Sequence, residues 1–164
     1  MSNALFHYCH FDNSTINDVS NMSNISFFHS IFNLVEMKKG FGRRVSFERA
    51  TLTSADLSEV EFDNANFNGT RFEYTLLIGA RLREGDFNYT YFRYCDMEGT
   101  SFFESSFTDI LMRDCNVLDA SFCDVSRVRG FIKDNITNSD STEYKKNCQY
   151  NIPTILRDDE EEQE

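Results

Sequence analysis

The sequence predicts an all-β fold, a four-sided parallel β-helix, and three observations point to it. Sixteen consecutive groups of five residues run from Val45 to Asp124, and the third residue of every group is Phe, Leu, Met or Val. The first residue of every group is Val, Ala, Thr, Gly, Cys, Ser or Ile, and the other three are mostly polar. The chain has 164 residues with 17 Phe and one Pro, so one residue type fills many equivalent positions and few backbone donors are lost.

A period of five matches neither an α-helix, with about 3.6 residues per turn, nor a strand, with a period of about 2. It requires a backbone that points its first and third residues inward and then turns, and four such sides close one coil. A small first residue avoids a collision with the bulky third residue near the corner. Successive coils stack at roughly 4.8 Å, the spacing of hydrogen-bonded strands, so each residue lies beneath the residue four groups further along.

This stacking predicts four interior columns that fill the centre of the coil and leave no cavity for a ligand. Aromatic pairs in such a column add roughly 0.5–1.5 kcal/mol each beyond their buried area. The columns are Phe27, Phe47, Phe67, Phe87 and Phe107; Phe32, Leu52, Phe72, Phe92, Met112 and Ile132; Met37, Leu57, Leu77, Met97 and Val117; and Phe62, Leu82, Phe102 and Phe122, with Gly42 beneath them.

The repeat frame divides the chain into three parts. A β-helix is predicted over residues 1–132, a C-terminal cap over residues 133–157, and a disordered acidic tail over residues 158–164. The pattern weakens after Asp124, and the apolar spacing that follows favours one or two short capping helices. Such a cap would cover the exposed edge of the last coil.

Two irregularities are expected within the β-helix. Before Ser20 the frame slips by one residue, which predicts a kink near residue 19. The slipped frame still gives three interior positions, at Phe6, Phe11 and Ile16. Gly42 occupies an interior position between a second glycine and two arginines, so we expect an irregular coil over residues 38–46.

The pentads resemble those of the pentapeptide-repeat family, whose consensus is close to A(D/N)LxG. The clearest matches are Ala55-Asp56-Leu57-Ser58, Ala65-Asn66-Phe67-Asn68-Gly69 and Cys95-Asp96-Met97-Glu98-Gly99. The resemblance implies a right-handed coil. It also implies a role in binding, because some members bind DNA gyrase as acidic mimics of duplex DNA in quinolone resistance or toxin immunity, and others are secreted bacterial effectors.

Composition argues against several functions. The net charge of −11 disfavours direct binding to nucleic-acid phosphates, which requires a basic surface. No run approaches the ~18 apolar residues of a membrane span, and the N-terminus lacks the pattern of a signal peptide. We therefore expect no membrane association and a cytoplasmic protein, or alternatively an effector secreted without a cleavable signal peptide.

No catalytic, cofactor-binding or metal-binding residue is predicted, so the chain is not expected to be an enzyme. His7, His10 and His29 have no third ligand at a metal-binding spacing, and the five cysteines contain no CxxC pair. Cys95 and Cys115 should stack one coil apart. Reduced thiols are favoured there over a disulfide, because we expect a reducing compartment.

Two outer surfaces are candidates for binding a partner. The Tyr/Arg surface carries residue types that anchor protein interfaces, and the acidic surface could attract a basic partner. The Tyr/Arg surface consists of Arg71, Tyr74, Tyr91, Arg93, Tyr94 and Arg113. The acidic surface consists of Asp56, Glu59, Asp96, Glu98 and Asp119.

The favoured function is a non-enzymatic protein-interaction module that presents these surfaces to a protein partner. The first alternative is a DNA mimic that binds DNA gyrase, and the second is a secreted effector scaffold. The sequence leaves the partner and the oligomeric state open.

Overall fold

The structure is a computed structural model that describes residues 3–16, 21–130 and 132–137. Every regular element in this part of the chain is a β-strand or a β-bridge, as predicted. Its strands are β1 His10–Asp12, β2 Ile31–Asn33, β3 Phe41–Arg43, β4 Thr51–Thr53, β5 Glu61–Asp63, β6 Arg71–Glu73, β7 Tyr91–Arg93, β8 Ser106–Thr108, β9 Leu111–Arg113, β10 Ser126–Arg129 and β11 Ile132–Asp134.

The strands stack in parallel on the sides of a β-helix, and the longest sheet takes one strand from each coil. Seven of them form one sheet in the order β1-β2-β4-β6-β7-β9-β11. Between β2 and β9 each pairing advances by one coil, as in Phe32↔Leu52. β3 pairs with β5 and β8 with β10, and ladders of single bridges, such as Glu36↔Asp56, complete the other sides. This is the predicted four-sided parallel β-helix.

The interior columns lie where the repeat places them. In the longest aromatic column, adjacent ring centroids are 5.1, 5.4, 4.9 and 5.2 Å apart and the rings are stacked. Rings on neighbouring sides meet edge to face, as Phe87 and Phe102 do at 83°, or at a tilt, as Phe67 and Phe72 do at 50°. The five members of that column, Phe27, Phe47, Phe67, Phe87 and Phe107, are at most 2% exposed. The centre of the coil is therefore packed with side chains.

The small first residue of a pentad has a second role that the repeat pattern does not reveal. Where it is Thr or Ser, its buried hydroxyl can donate to the carbonyl of an interior residue of the preceding coil. Oγ1 of Thr70 lies 2.6 Å from the Phe47 carbonyl, and Oγ1 of Thr90 lies 2.9 Å from that of Phe67. These bonds add side-chain links between coils at positions closed to water.

The chain turns its corners at residues with positive φ. At one such corner the N–H of Ala50 bonds the carbonyl of Phe47 at 2.8 Å, and Arg49 between them has φ of 56°. This is the geometry of a type II turn, which requires positive φ at its third residue. Glycine takes some corners, but Leu34 and Tyr74 also have φ of 54° and 51°, a conformation that disfavours bulky residues.

The irregular coil predicted over residues 38–46 is wrong. Gly42 pairs in register with Phe62, so the coil keeps its period. The buried side chain of Met22 takes the space beside Gly40, because its Cε lies close to where a Cβ on Gly40 would be. A Cβ on Gly42 would also meet the carbonyl carbon of Met22 at 2.9 Å. Glycine thus permits a close approach of two coils and does not interrupt the helix.

The two ends of the β-helix depart from the regular period. The predicted one-residue slip is confirmed, since Phe11 pairs with Phe32, but the kink near residue 19 lies outside the described residues. At the other end, the register shifts within β10, and Lys133, not the predicted Ile132, pairs with Met112. The extra residue in β10 is a bulge that the pentad frame cannot reveal.

The β-helix continues past its predicted end. A bridge joins Asn116 to Thr137, five residues beyond the predicted boundary at 132. The helical cap and the acidic tail, predicted over residues 133–157 and 158–164, lie almost wholly outside the described residues. Among the described residues, no helix has the length and apolarity that a membrane span requires.

Candidate protein-interaction surfaces

The seven-stranded sheet carries the Tyr/Arg surface on three consecutive strands, β6, β7 and β9. Register places Arg71 beside Tyr91 and Arg93 beside Arg113. Tyr74 and Tyr94 follow β6 and β7 at the same corner. The six predicted residues therefore share one side and its edge, over three coils.

Three of the six residues form a single cluster. The rings of Tyr74 and Tyr94 stack with centroids 4.7 Å apart. The guanidinium of Arg93 lies over the Tyr94 ring, 4.8 Å from its centroid, and its Nη2 donates to the Tyr94 hydroxyl at 3.3 Å. The hydrogen bond to Tyr94 raises the pKa of Arg93. The arginine is thus held against the ring of Tyr94.

The remaining polar contacts of Arg93 are loose. Its Nη1 lies 3.8 Å from Oε1 of Glu73, and its buried Nε has no hydrogen-bond partner. Arg113, one coil further, pairs through Nε with Asp134 at 2.8 Å. Arg93 therefore has donor capacity left for a ligand, whereas Arg113 is drawn toward the last coil.

The structure does not bring the acidic surface together as one field. Asp56 and Asp96 each accept the backbone N–H two residues further along, at 3.0 and 3.2 Å, so both carboxylates help to shape their own turn. Asp96 also accepts from Asn116 at 2.9 Å. Glu59 and Asp119 lie on one corner but are separated there by two glycine positions, at 79 and 99.

Asp56 also has a cationic partner. Nζ of Lys38 lies 2.9 Å from its Oδ2. Burial raises the pKa of Asp56, but the hydrogen bonds from Ser58 and Lys38 outweigh it, so this pKa lies below its ordinary value. The bond to Asp56 raises the pKa of Lys38. Both groups are charged at neutral pH and partly neutralise each other.

A groove that the sequence did not predict runs along the corner between these two surfaces. One wall is the corner row Leu34, Ser54 and Tyr74, and the floor is the ladder Glu36, Asp56 and Leu76. Its volume is about 490 Å³. Leu34 and Tyr74 are 51% and 56% exposed. Sequence reasoning assigned these residues to separate sides and did not consider the corner that joins them.

A second feature missed from the sequence is the distribution of charge over the corners. The basic corner residues Lys39, Arg44 and Arg49 follow one another in the N-terminal coils. Five consecutive acidic corners follow in the C-terminal coils: Glu104, Asp109, Asp114, Asp119 and Asp124. Aspartate tolerates positive φ. Asparagine does so without a charge, as at Asn24 and Asn64, so the turn alone does not require an acidic residue. The signal was present in the pentads as their last residue.

The histidines and cysteines do not form a reactive site. His7 bonds Ser26 at 3.0 Å, and among the described residues no group of three His, Cys, Asp or Glu could hold a metal ion. Cys95 and Cys115 are free thiols, as expected, and burial raises the pKa of Cys95 well above its ordinary value.

Comparison with known proteins identifies the repeat. A family model described as a pentapeptide repeat region matches residues 43–122. No curated protein matches the chain.

Solved structures of similar shape are distant in sequence. QnrB1, a plasmid-mediated fluoroquinolone resistance protein, shares 15% identity over 83% of this chain and 68% of its own, with a TM-score of 0.40. HetL, from the cyanobacterium Nostoc, shares 13% over 82% and 72%, with a TM-score of 0.33. Rfr23, from the cyanobacterium Cyanothece, shares 11% over 82% and 88%, with a TM-score of 0.32. Likeness of this degree carries neither partner nor activity to this chain.

Proposed function

The chain belongs to the pentapeptide-repeat family, and from this premise we propose that it is a non-enzymatic interaction module that binds a protein partner through its Tyr/Arg surface. A rigid solenoid suits this role, because its packed interior fixes the positions of the outer side chains. Tyrosine and arginine are the residue types that most often dominate the binding energy at interfaces.

The observation that carries the proposal is the contact between Arg93 and the stacked pair of Tyr74 and Tyr94. These side chains hold each other in place, with distances of 4.7 and 4.8 Å. They would therefore lose little conformational freedom when a partner binds. Tyr74 remains 56% and Tyr94 38% exposed. Nη1 of Arg93 has only a 3.8 Å contact with Glu73, so the cluster offers both apolar area and donor capacity.

A site-specific crosslinking experiment tests this proposal. A photoreactive phenylalanine analogue replaces Tyr94, and in a matched control it replaces Tyr89, which is 59% exposed with φ of 59° on another corner. We expect a discrete protein adduct from position 94 only, and its loss when Arg93→Ala is added. Equal adducts at both positions, or an adduct unaffected by Arg93→Ala, would contradict the assignment to this surface.

A DNA mimic that binds DNA gyrase is the second candidate, and the run of acidic corners from Glu104 to Asp124 favours it. Consecutive corners lie on different sides of the coil, and of these five only Glu104 and Asp124 stack, at roughly 4.8 Å, against about 3.4 Å between phosphates along a DNA strand. Binding would then depend on the shape of the field and weaken steeply with salt.

Supercoiling by gyrase in the presence of the protein tests the second candidate. We expect inhibition by the wild type at low salt and its loss in Asp109→Asn with Asp119→Asn, because asparagine retains the tolerance for positive φ and removes the charge. Wild-type protein that leaves supercoiling unchanged at tens of micromolar rules this candidate out. Inhibition that survives both substitutions assigns it to another surface.

A further inference from the structure

We propose that the groove between Leu34 and Tyr74 is a slot for one arginine side chain in a basic segment of the protein partner. The inference rests on the proposed function, since it names the chemistry that the partner presents beside the Tyr/Arg surface. Apart from Tyr74, the slot is built from residues outside the Arg93 cluster, so the inference can fail while the proposed function stands.

The slot arises from the order of side chains along one corner. Tyr94 covers one face of the Tyr74 ring by stacking at 4.7 Å. On the other side of Tyr74 the row continues with Ser54, whose side chain is too small to cover the ring, and then with Leu34. Leu34 and Tyr74 are two coils apart, roughly 9.6 Å at the usual strand spacing. A planar group inserted at the level of Ser54 would extend the aromatic stack by one layer.

The floor of the slot supplies negative charge at the same level. Ser54 and Asp56 lie on one coil, and the bridges Glu36↔Asp56 and Asp56↔Leu76 place an acid below Asp56 and an apolar residue above it. Glu36 is exposed. Lys38 occupies Oδ2 of Asp56 at 2.9 Å, so the protein already places one cation of its own against this floor.

Arginine fits this combination better than any other side chain. Its guanidinium is planar, stacks on aromatic faces and bonds carboxylates through several donors at once, whereas a lysine ammonium is a point charge without a stacking face. The net charge of −11 attracts a basic segment from a distance. The same charge repels an acidic segment, so the partner chemistry is basic.

A peptide titration followed by the NMR signals of the tyrosine rings tests the proposal on the full chain. The probe is acetyl-Gly-Arg-Gly-amide, and the matched probes replace arginine by citrulline, which has the shape without the charge, or by lysine. We expect the arginine peptide to shift the Tyr74 signals and to bind at least tenfold more tightly than either control peptide. Equal binding of the lysine peptide would refute a guanidinium slot.

Two substitutions that act in opposite directions sharpen the test. Ser54→Tyr fills the slot, and we expect at least a tenfold loss of affinity for the arginine peptide. The matched control, Asn64→Tyr, introduces the same side chain at another corner of positive φ and should leave binding unchanged. Lys38→Met removes the internal competitor for Asp56 and should strengthen binding severalfold, a gain that misfolding could not produce.

The results separate this inference from the proposed function. Loss of peptide binding in Ser54→Tyr, with the position-94 crosslink retained, supports the slot and leaves the partner's wider contact in place. Arginine-peptide binding that is unchanged in Ser54→Tyr, or weakened by Lys38→Met, overturns the slot even if the crosslink persists. An absent crosslink with intact peptide binding refutes the wider surface and not the slot.

Discussion

The interior columns and the corner rows are stacked by the same coils, yet they differ in what they repeat. One interior column is phenylalanine in five successive coils. The corner row beside the groove changes at every coil, from Leu34 through Ser54, Tyr74 and Tyr94 to Asp114. The interior side chains must fill a fixed volume, whereas the corner side chains project into solvent. The solenoid therefore separates the residues that stabilise it from those that can recognise a partner.

The largest expected difference between interior and surface concerns phenylalanine 67. Phe67→Ala should lower the free energy of unfolding by about 3–5 kcal/mol, because rings stacked at 5.4 and 4.9 Å on either side cannot collapse into the space. Asn68→Ala, at the next residue outward, should cost less than about 0.5 kcal/mol. Chemical denaturation of both variants measures the two values. Similar losses would mean that the interior register is wrong.

The two kinds of glycine should respond differently to an added side chain. Gly42→Ala should cost about 1–3 kcal/mol, because its Cβ would meet backbone atoms of Met22 and Ser23 at 2.9 Å. Gly99 lies at a corner with φ of 64°, and a Cβ there would have no neighbour closer than 3.9 Å. Gly99→Asn should therefore cost less than Gly42→Ala in the same denaturation experiment. The reverse order would show that the coils at Gly42 can separate freely.

The buried hydroxyls should have an intermediate effect. Thr90→Val keeps the shape of the side chain but removes the bond from Oγ1 to the Phe67 carbonyl, and should cost about 1–1.5 kcal/mol. Thr51→Val makes the same change on an outward, half-buried strand position and should be close to neutral. If the two substitutions cost the same, the bond between coils contributes nothing beyond its packing.

The sequence predicted the interior and missed the corners for one physical reason. A column such as Phe27 to Phe107 recurs with a fixed period, so a single rule locates every member. The groove depends on the order of side chains in stacked corner positions, which follows no period. The small Ser54 below Tyr74 is noticed only when the corner is treated as a row of its own. Gly42 misled the prediction because the missing side chain lets the backbone of Met22 and Ser23 in the preceding coil approach closely, and the strand pairing continues.

The bulge in β10 shows the limit of the same rule at the C-terminal end. One extra residue there moves the pairing partner of Met112 from the predicted Ile132 to Lys133. A period read from the preceding coils cannot detect an insertion once the pentads lose their apolar third residue, as they do at Arg127. The sequence groups the Tyr/Arg residues because they recur one coil apart, and it groups the acidic residues in the same way, because an aspartate that shapes its own turn carries the same charge as one that does not.

The smallest expected effect is the pH dependence of the pair formed by Lys38 and Asp56 at the surface. Asp56 has its pKa below the ordinary value of 3.8, so its contribution to stability is present above that value and is lost as pH falls through the lowered pKa. Lys38 has its pKa above 10.5, so its contribution is present below that value and is lost as pH rises through the raised pKa. The difference in unfolding midpoint between wild type and Asp56→Asn should therefore form a plateau across neutral pH and shrink at both extremes.

Asparagine can still accept the N–H of Ser58, so this substitution removes the charge and keeps the turn. The plateau should be lower than the loss in Thr90→Val, because both side chains of the pair reach solvent, with exposures of 45% and 17%, and salt screens them. Added salt should lower the plateau further while leaving the Thr90→Val difference unchanged. A pH-independent difference, or one as large as the loss in Phe67→Ala, would mean that Asp56 acts as a buried structural group and is unavailable to a guanidinium in the groove.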